Sequence, residues 1–62
     1  MKTGERLRML RGSMTQKEVA AGCGITLASL ASYERGERAP RDEIKVRFST
    51  FFGVPITSIF NP

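Results

Sequence analysis

The sequence predicts an all-α fold, a compact bundle of four or five short helices. Three observations predict it: glycines interrupt the chain at short intervals, residues that cap helix starts stand just before apolar stretches, and the apolar residues recur mainly at helical spacing. Apolar residues make up 40% and charged residues 26% of the 62 residues, which is typical of a globular domain. The chain is therefore expected to fold as a single domain over residues 1–62.

The first predicted helix runs from about Thr3 to Arg11. Leu7 and Leu10 lie on one side of it, and Gly12 can end it in the left-handed conformation that other residues resist. The other face carries three basic residues, Lys2, Arg6 and Arg8.

The second helix has the best-marked start in the chain. Thr15 and Glu18 have the spacing of a capping box, in which each side chain bonds the backbone amide of the other residue. Met14 and Val19 have the spacing of a hydrophobic staple around the same cap. The helix is expected to end near residue 22, because Gly24 favours a left-handed turn.

The third helix begins two residues after that turn. Thr26 is its predicted N-cap, and Ile25 with Leu30 repeats the staple spacing. Two capped helices joined through one glycine make a helix-turn-helix, here at about residues 15–35.

The C-terminal third is less clearly patterned. Gly36 and Pro40 mark a loop, and a helix is predicted from about residue 41 to residue 52. Its apolar residues at helical spacing are Ile44, Phe48, Phe51 and Phe52. However, Ile44, Val46 and Phe48 also alternate as in a strand, so this segment alone is ambiguous. Residues 55–60 can form one last helical turn.

Charge and size point to possible partners. Ten Lys and Arg against six Asp and Glu give a net charge of +4, which favours polyanions such as nucleic acid, although solvated surface charge explains it equally well. A domain of this size buries only roughly 60% of the surface that its unfolded chain exposes. A second copy of the chain is therefore expected to complete the core, as a homodimer.

The residues present also argue against a metal-binding protein, an enzyme and a membrane protein. There is no histidine and Cys23 is the single cysteine, so we expect no metal site and no disulfide within the chain. No nucleophile has a plausible base nearby, so we expect no catalytic residue and no enzyme. Because no ligand domain fits in 62 residues, we also expect no cofactor and no small-molecule ligand. No apolar run approaches the ~20 residues of a membrane span and the N-terminus has no apolar signal region, so we expect a soluble, cytoplasmic protein with no membrane partner.

The stretch MTQKEVAAGCGITLASLASYERG, Met14 to Gly36, resembles the helix-turn-helix of the phage repressor and Cro family, the xenobiotic-response-element-type transcriptional regulators. Gln16 stands where the motif opens, Ala20 at the small position between the two helices and Gly24 at the turn. The five buried motif positions are taken by Val19, Cys23, Ile25, Leu30 and Tyr33. The resemblance implies a lambda repressor-like DNA-binding domain.

The resemblance extends beyond the motif, with departures. Arg11 and Glu34 match a structural ion pair of the family, and residues 53–54 and 59–60 match its "Gly-Val … Leu-Phe" ending. The connection at residues 12–13 is short, Lys45 stands where leucine is usual, and Phe51 stands where a small residue is usual. These departures affect the register of the helix at 41–52. They do not touch the part that would face DNA.

In such a domain the helix at 26–34 would lie in the major groove. With Leu30 and Tyr33 facing the core, the helical period places Leu27, Ala28, Ala31 and Ser32 on the opposite face. The family contacts bases from the positions that are Leu27, Ala28 and Ser32 here. None can make the bidentate contact by which Arg reads guanine or Gln reads adenine, whereas leucine and alanine can pack on thymine methyl groups. We therefore expect direct recognition of bases to be weak and biased toward A·T pairs.

The affinity for DNA is then expected to come from the phosphate backbone. Helix N-termini attract phosphate through their free amides, and arginines surround the loop after the third helix. The predicted contacts to phosphate are Thr15, Gln16, Lys17, Thr26, Ser29, Arg35, Arg38 and Arg41. Arg38 or Arg41 could instead enter a narrowed minor groove.

The predicted function is a sequence-specific transcriptional regulator of double-stranded DNA, most simply a repressor. It would bind a palindromic operator as a homodimer, with half-sites about one DNA turn (roughly 34 Å) apart. The predicted dimer interface consists of Val54, Pro55, Ile56 and Phe60. The protein would act in the bacterial nucleoid or be encoded by a phage in a bacterial host. The alternative is an antitoxin or another protein-interaction module built on the same fold, with a protein partner.

Overall fold

Five α-helices follow one another in the computed structural model, which describes residues 2–60. Their bounds are α1 Thr3–Arg11, α2 Gln16–Cys23, α3 Leu27–Arg35, α4 Asp42–Phe52 and α5 Ile56–Phe60. No strand is formed within the described residues. The predicted all-α class is confirmed. The predicted domain limits 1–62 include residues 1, 61 and 62, which lie outside the described part of the chain.

Side-chain caps define the starts of α2 and α3. The Thr15 amide donates to Glu18 Oε1 at 2.9 Å, and the Glu18 amide donates to Thr15 Oγ1 at 3.0 Å. Thr26 Oγ1 accepts from the Ser29 amide at 3.0 Å in the same way. Between the two helices, Gly24 lies at φ 69° and ψ 34°, the left-handed conformation that the turn requires. The capped helix-turn-helix has formed as its local sequence predicts, with α2 one residue longer than expected.

The ambiguous segment before Gly53 is a helix. Phe48 is fully buried, and Ile44, Phe51 and Phe52 pack around the same core. Val46, the residue on which the strand alternation depended, is 50% exposed. The apolar residues at helical spacing thus pack together on the core, as in an amphipathic helix. Arg41 precedes the helix as its N-cap residue.

All five helices contribute to one core. Helix α1 packs on α3 and α5, α2 packs on α3 and α4, and α5 packs on α4. The buried apolar residues are Leu7, Val19, Ala20, Cys23, Leu30, Tyr33, Phe48 and Ile59. Leu10, predicted on the same side of α1 as Leu7, lies at the rim and is 36% exposed. Within residues 2–60 no helix is long and apolar enough to cross a membrane.

Two departures from the family pattern are accommodated by neighbouring residues. The ring of Phe51 lies directly against Gly22, where a Cβ atom would overlap it. The missing side chain in α2 thus makes room for the large one in α4. Lys45 lies with Nζ 5.5 Å from the centroid of the Phe60 ring and 3.8 Å from an Asp42 carboxylate oxygen, so its charge remains at the surface.

Candidate nucleic-acid interface

The outer face of α3 carries the residues predicted to face bases. Leu27 is 50% exposed and Ala28 is exposed in the first turn, while Ser32 lies one turn later and is half-buried. Leu30 and Tyr33 point into the core, as the helical period requires. The three predicted base-facing residues therefore share one accessible face. That face offers a methyl-rich surface and one hydroxyl, with no guanidinium or carboxamide among the three.

A buried carboxylate joins the elements behind this face. Glu34, near the end of α3, is only 4% exposed. Its Oε2 accepts from Arg11 Nε at 2.8 Å, and its Oε1 accepts from Arg11 Nη2 at 3.0 Å. This side-chain bonding raises the pKa of Arg11 above its ordinary value. The carboxylate is thus held in the two-point geometry that makes arginine pairs strong.

Gln16 shares the same carboxylate. Its Nε2 donates to Glu34 Oε1 at 3.0 Å, so one of its two amide hydrogens is already bound inside the protein. The Arg11 guanidinium also donates to the Met14 carbonyl at 3.0 Å, just before the cap of α2. The start of α2 and the end of α3 are therefore tied to one charged centre.

Backbone packing brings α1 close to the same point. Gly4 lies against the Glu34 carbonyl group, and a Cβ atom at position 4 would overlap that backbone. Helix α1 can approach α3 this closely because position 4 carries no side chain. The C-terminal half of α3 is consequently held by backbone packing as well as by charge.

Most of the short polar side chains predicted to contact phosphate are engaged inside the protein. Thr15 belongs to the capping box of α2. The Thr26 hydroxyl donates to Ser29 Oγ at 2.9 Å while accepting from the Ser29 amide. These bonds orient the N-termini of α2 and α3. Since the Glu18 and Ser29 amides are bound by the caps, the groups left for an anion are the backbone amides at the first two positions of each helix and the exposed side chain of Lys17.

The three predicted arginines differ in their surroundings. Arg35 forms two hydrogen bonds with Glu37, at 3.0 and 2.9 Å, which raise the pKa of Arg35 and lower that of Glu37. Arg38 lies over the ring of Tyr33, 5.6 Å from its centroid. Arg41 is exposed at the start of α4, and its side chain makes no hydrogen bond or ion pair with other residues in 2–60. Arg38 and Arg41 are therefore better placed than Arg35 to meet an anion.

The predicted dimer residues are only partly brought together. Ile56 is 37% exposed and Pro55 is exposed, whereas Val54 and Phe60 are half-buried. The Phe60 ring lies 6.1 Å from that of Phe48, so it belongs mainly to the intramolecular core.

Two exposed apolar residues of α1 lie beside the predicted dimer residues, a position that the sequence did not predict for them. Met9 is 65% and Leu10 is 36% exposed. They line a shallow groove between α1 and α5 with Arg6, Val54 and Ser58. The signal was present in the adjacent Met9-Leu10 pair, but only the position of α5 shows that both residues border the predicted dimer surface.

Cys23 and the acidic residues show no sign of reactive chemistry. Burial raises the pKa of the Cys23 thiol, and the nearby Arg47 charge opposes this only in part. No group of three or more potential metal ligands occurs among the described residues. Cys23 is a small apolar residue of the core.

Comparisons with known proteins agree with this arrangement. A family model described as "Helix-turn-helix" matches residues 5–59. The chain is 35% identical over 46 residues to the cryptic phage CTXphi transcriptional repressor RstR of Vibrio cholerae, an alignment that covers 74% of this chain and 41% of that protein. The chain thus spans less than half of the length of this relative. No solved structure matches the chain significantly.

Proposed function

Because the chain belongs to the helix-turn-helix family of the phage repressor and Cro type, we propose that it is a sequence-specific DNA-binding transcriptional regulator, most simply a repressor. One observation carries the proposal: the first turn of α3 is exposed at a helix N-terminus that Thr26 caps. Leu27 and Ala28 form the centre of this surface, and Lys17, Arg38 and Arg41 supply positive charge. An exposed apolar turn, exposed cations and unbonded N-terminal amides together suit a groove edged by phosphates.

Helix α3 enters the major groove with its first turn. Leu27 and Ala28 pack against thymine methyl groups, and Ser32 forms a hydrogen bond of low base preference. Direct recognition of bases is consequently weak and favours A·T pairs. The remaining specificity comes from DNA shape and from the spacing of half-sites.

Phosphate contacts supply most of the affinity. The first-turn amides of α2 and α3 approach the backbone of the DNA, beside Lys17. Arg38 and Arg41 contact phosphates along the 36–41 loop, or enter a narrowed minor groove there. Arg35 contributes less, because its hydrogen bonds to Glu37 must break before it can bind a phosphate.

The regulator binds a palindromic operator as a homodimer. Each copy measures 26 × 23 × 22 Å, so two adjoining copies can present their α3 helices about one DNA turn, roughly 34 Å, apart. Helix α5 packs on α1 and α4, whereas α3 packs on α1 and α2. The dimer surface is centred on Pro55 and Ile56 and extends to Met9 and Leu10 in α1.

Similarity to a phage repressor supports a phage-encoded regulator that acts in a bacterial cytoplasm. A protein of this kind lowers transcription by occupying promoter DNA. The mechanism requires only binding, so no catalytic residue or cofactor enters it.

The test is a fluorescence-anisotropy titration of the DNA upstream of the gene and of a shuffled fragment of equal composition, at several salt concentrations. The proposal requires preference for the native fragment and a steep decrease of affinity with salt. Absence of binding to either fragment at low salt would overturn it. In that case the apolar face of α3 would serve a protein partner.

A further inference from the structure

The aromatic side chain near the C-terminal end of α3 is packed in the core. Tyr33 is only 5% exposed, and its ring meets that of Phe48 edge to face, with centroids 6.1 Å apart and planes at 83°. Phe48 is itself fully buried. The Tyr33 ring is therefore held by packing in the core.

Arg38 lies over the same ring. The guanidinium carbon of Arg38 lies 5.6 Å from the ring centroid, within the range of a cation–π contact. Arg38 is exposed and lies in the loop between α3 and α4. A guanidinium held over a ring by this attraction can keep the N–H donors at its edge available for hydrogen bonds.

Arg35 shows the contrasting case in the same region. Its Nε and Nη2 donors are bound to the two carboxylate oxygens of Glu37. When a carboxylate orients an arginine, it occupies some of the N–H donors and neutralises the positive charge. When an aromatic ring orients an arginine, the donors at the guanidinium edge and the positive charge remain available. Only the contact with the ring therefore prepares the side chain for a phosphate.

The loop that carries Arg38 is anchored on both sides. Gly36 ends α3 in the left-handed conformation at φ 75°, and Pro40 is buried just before α4. The backbone position of Arg38 is thereby restricted, and the ring restricts the side chain. Binding DNA then requires less ordering of a long, flexible side chain.

We propose that Tyr33 is a positioning residue for DNA binding, which holds the Arg38 guanidinium ready to contact the sugar-phosphate backbone. This inference rests on the proposed DNA-binding function. It assigns to a core residue a role in affinity in addition to its role in packing. Loss of the stacking should weaken DNA binding roughly two- to fivefold, as expected for an exposed cation–π contact.

The first experiment keeps the charge and removes the planar group. Arg38→Lys retains the positive charge but not the stacking guanidinium, and Arg41→Lys is the matched control at an arginine with no ring beneath it. DNA affinity is measured at several salt concentrations, together with thermal unfolding. We expect Arg38→Lys to lose roughly two- to fivefold in affinity with little change in salt slope, and Arg41→Lys to lose less.

The second experiment is a double-mutant cycle between Tyr33→Leu and Arg38→Ala, with Tyr33→Phe as the variant that keeps the ring. Tyr33→Leu should weaken binding with Arg38 present and have no further effect once Arg38 is alanine. Tyr33→Phe should bind as the unaltered chain does. If Tyr33→Leu is unfolded at the assay temperature, the two lysine variants decide the question alone.

The outcomes separate this inference from the function on which it rests. If the unaltered protein binds DNA but the cycle is additive, or Arg38→Lys and Arg41→Lys are equal, the positioning role is overturned and the DNA-binding function stands. If the unaltered protein does not bind DNA at low salt, both are overturned.

Discussion

Arg11 in α1 and Glu34 in α3 form a two-point ion pair, with Arg11 Nε 2.8 Å from Glu34 Oε2 and Arg11 Nη2 3.0 Å from Glu34 Oε1. The pair connects residues that are 23 positions apart in sequence. Since Gln16 binds the same carboxylate, the buried Glu34 side chain holds α1, the start of α2 and the end of α3 together. The surfaces of α2 and α3 that we propose to face DNA depend on that arrangement.

Removal of one partner of this pair should destabilise the fold strongly. Arg11→Met would leave the Glu34 carboxylate buried without its cation, and we expect the free energy of unfolding to decrease by about 3 kcal/mol. Urea denaturation monitored by circular dichroism measures the change. Arg35→Met, which breaks the exposed pair with Glu37, is the control and should have little effect. Equal losses in the two variants would contradict a special role for the buried pair.

Contacts to bases and to phosphates should be separable by mutation. Leu27→Ala should mainly reduce the preference for operator over shuffled DNA, by about 1 kcal/mol. Arg41→Ala should instead weaken binding to all sequences alike and decrease the salt slope by about 1. Anisotropy titrations on both fragments distinguish the two patterns. Arg47→Ala is the control for loss of a positive charge. In the unaltered protein the Arg47 side chain donates to the Gly24 carbonyl and to the Glu43 carboxylate.

The proposed dimer surface predicts a position-dependent effect of a new charge. Ile56→Glu should shift the protein from dimer to monomer and weaken operator binding, because a carboxylate would have to be desolvated in the interface. Sedimentation equilibrium at micromolar concentration measures the state of assembly. Val46→Glu places the same charge at a 50%-exposed residue of α4 and should leave the dimer intact. A protein that is monomeric both free and on DNA would disprove the homodimer.

The capping box predicts a pH dependence of stability. The Thr15 amide donates to the Glu18 carboxylate, and this bond, assisted by the Thr15 hydroxyl, lowers the pKa of Glu18 below its ordinary value. A lowered native pKa means that the stabilisation is fully present above the unfolded value, about 4.3, and is lost as pH falls through the native pKa. The Tm of the unaltered protein should therefore exceed that of Glu18→Gln at pH 7, and the difference should shrink below about pH 4.

Thr15→Ala serves as the comparison for this effect. It removes the hydroxyl that accepts from the Glu18 amide, and this group does not titrate in the acid range. Its cost, about 1 kcal/mol for loss of an N-cap, should largely persist at low pH. A difference between the unaltered protein and Glu18→Gln that stays constant from pH 7 to pH 3 would rule out the carboxylate as its source.

Local chemistry allowed much of the fold to be predicted. Thr15 and Thr26 mark helix starts because their hydroxyl groups bond amides only three residues away, and Gly24 marks a turn because its own backbone adopts positive φ. These interactions involve neighbours in sequence. The predicted position of Leu27 on an exposed face follows for the same reason, since it depends only on the period of one helix.

The sequence by itself therefore determined the first three helices, the caps of α2 and α3, and the exposed position of Leu27 on α3. Only the tertiary structure decided that residues 42–52 are helical, that the ring of Phe51 fits against Gly22, and that Arg38 lies over Tyr33. Each of these depends on which surfaces meet across distant parts of the chain. Periodicity within one segment specifies which face is apolar, whereas the partner of that face is specified by how all five helices pack together.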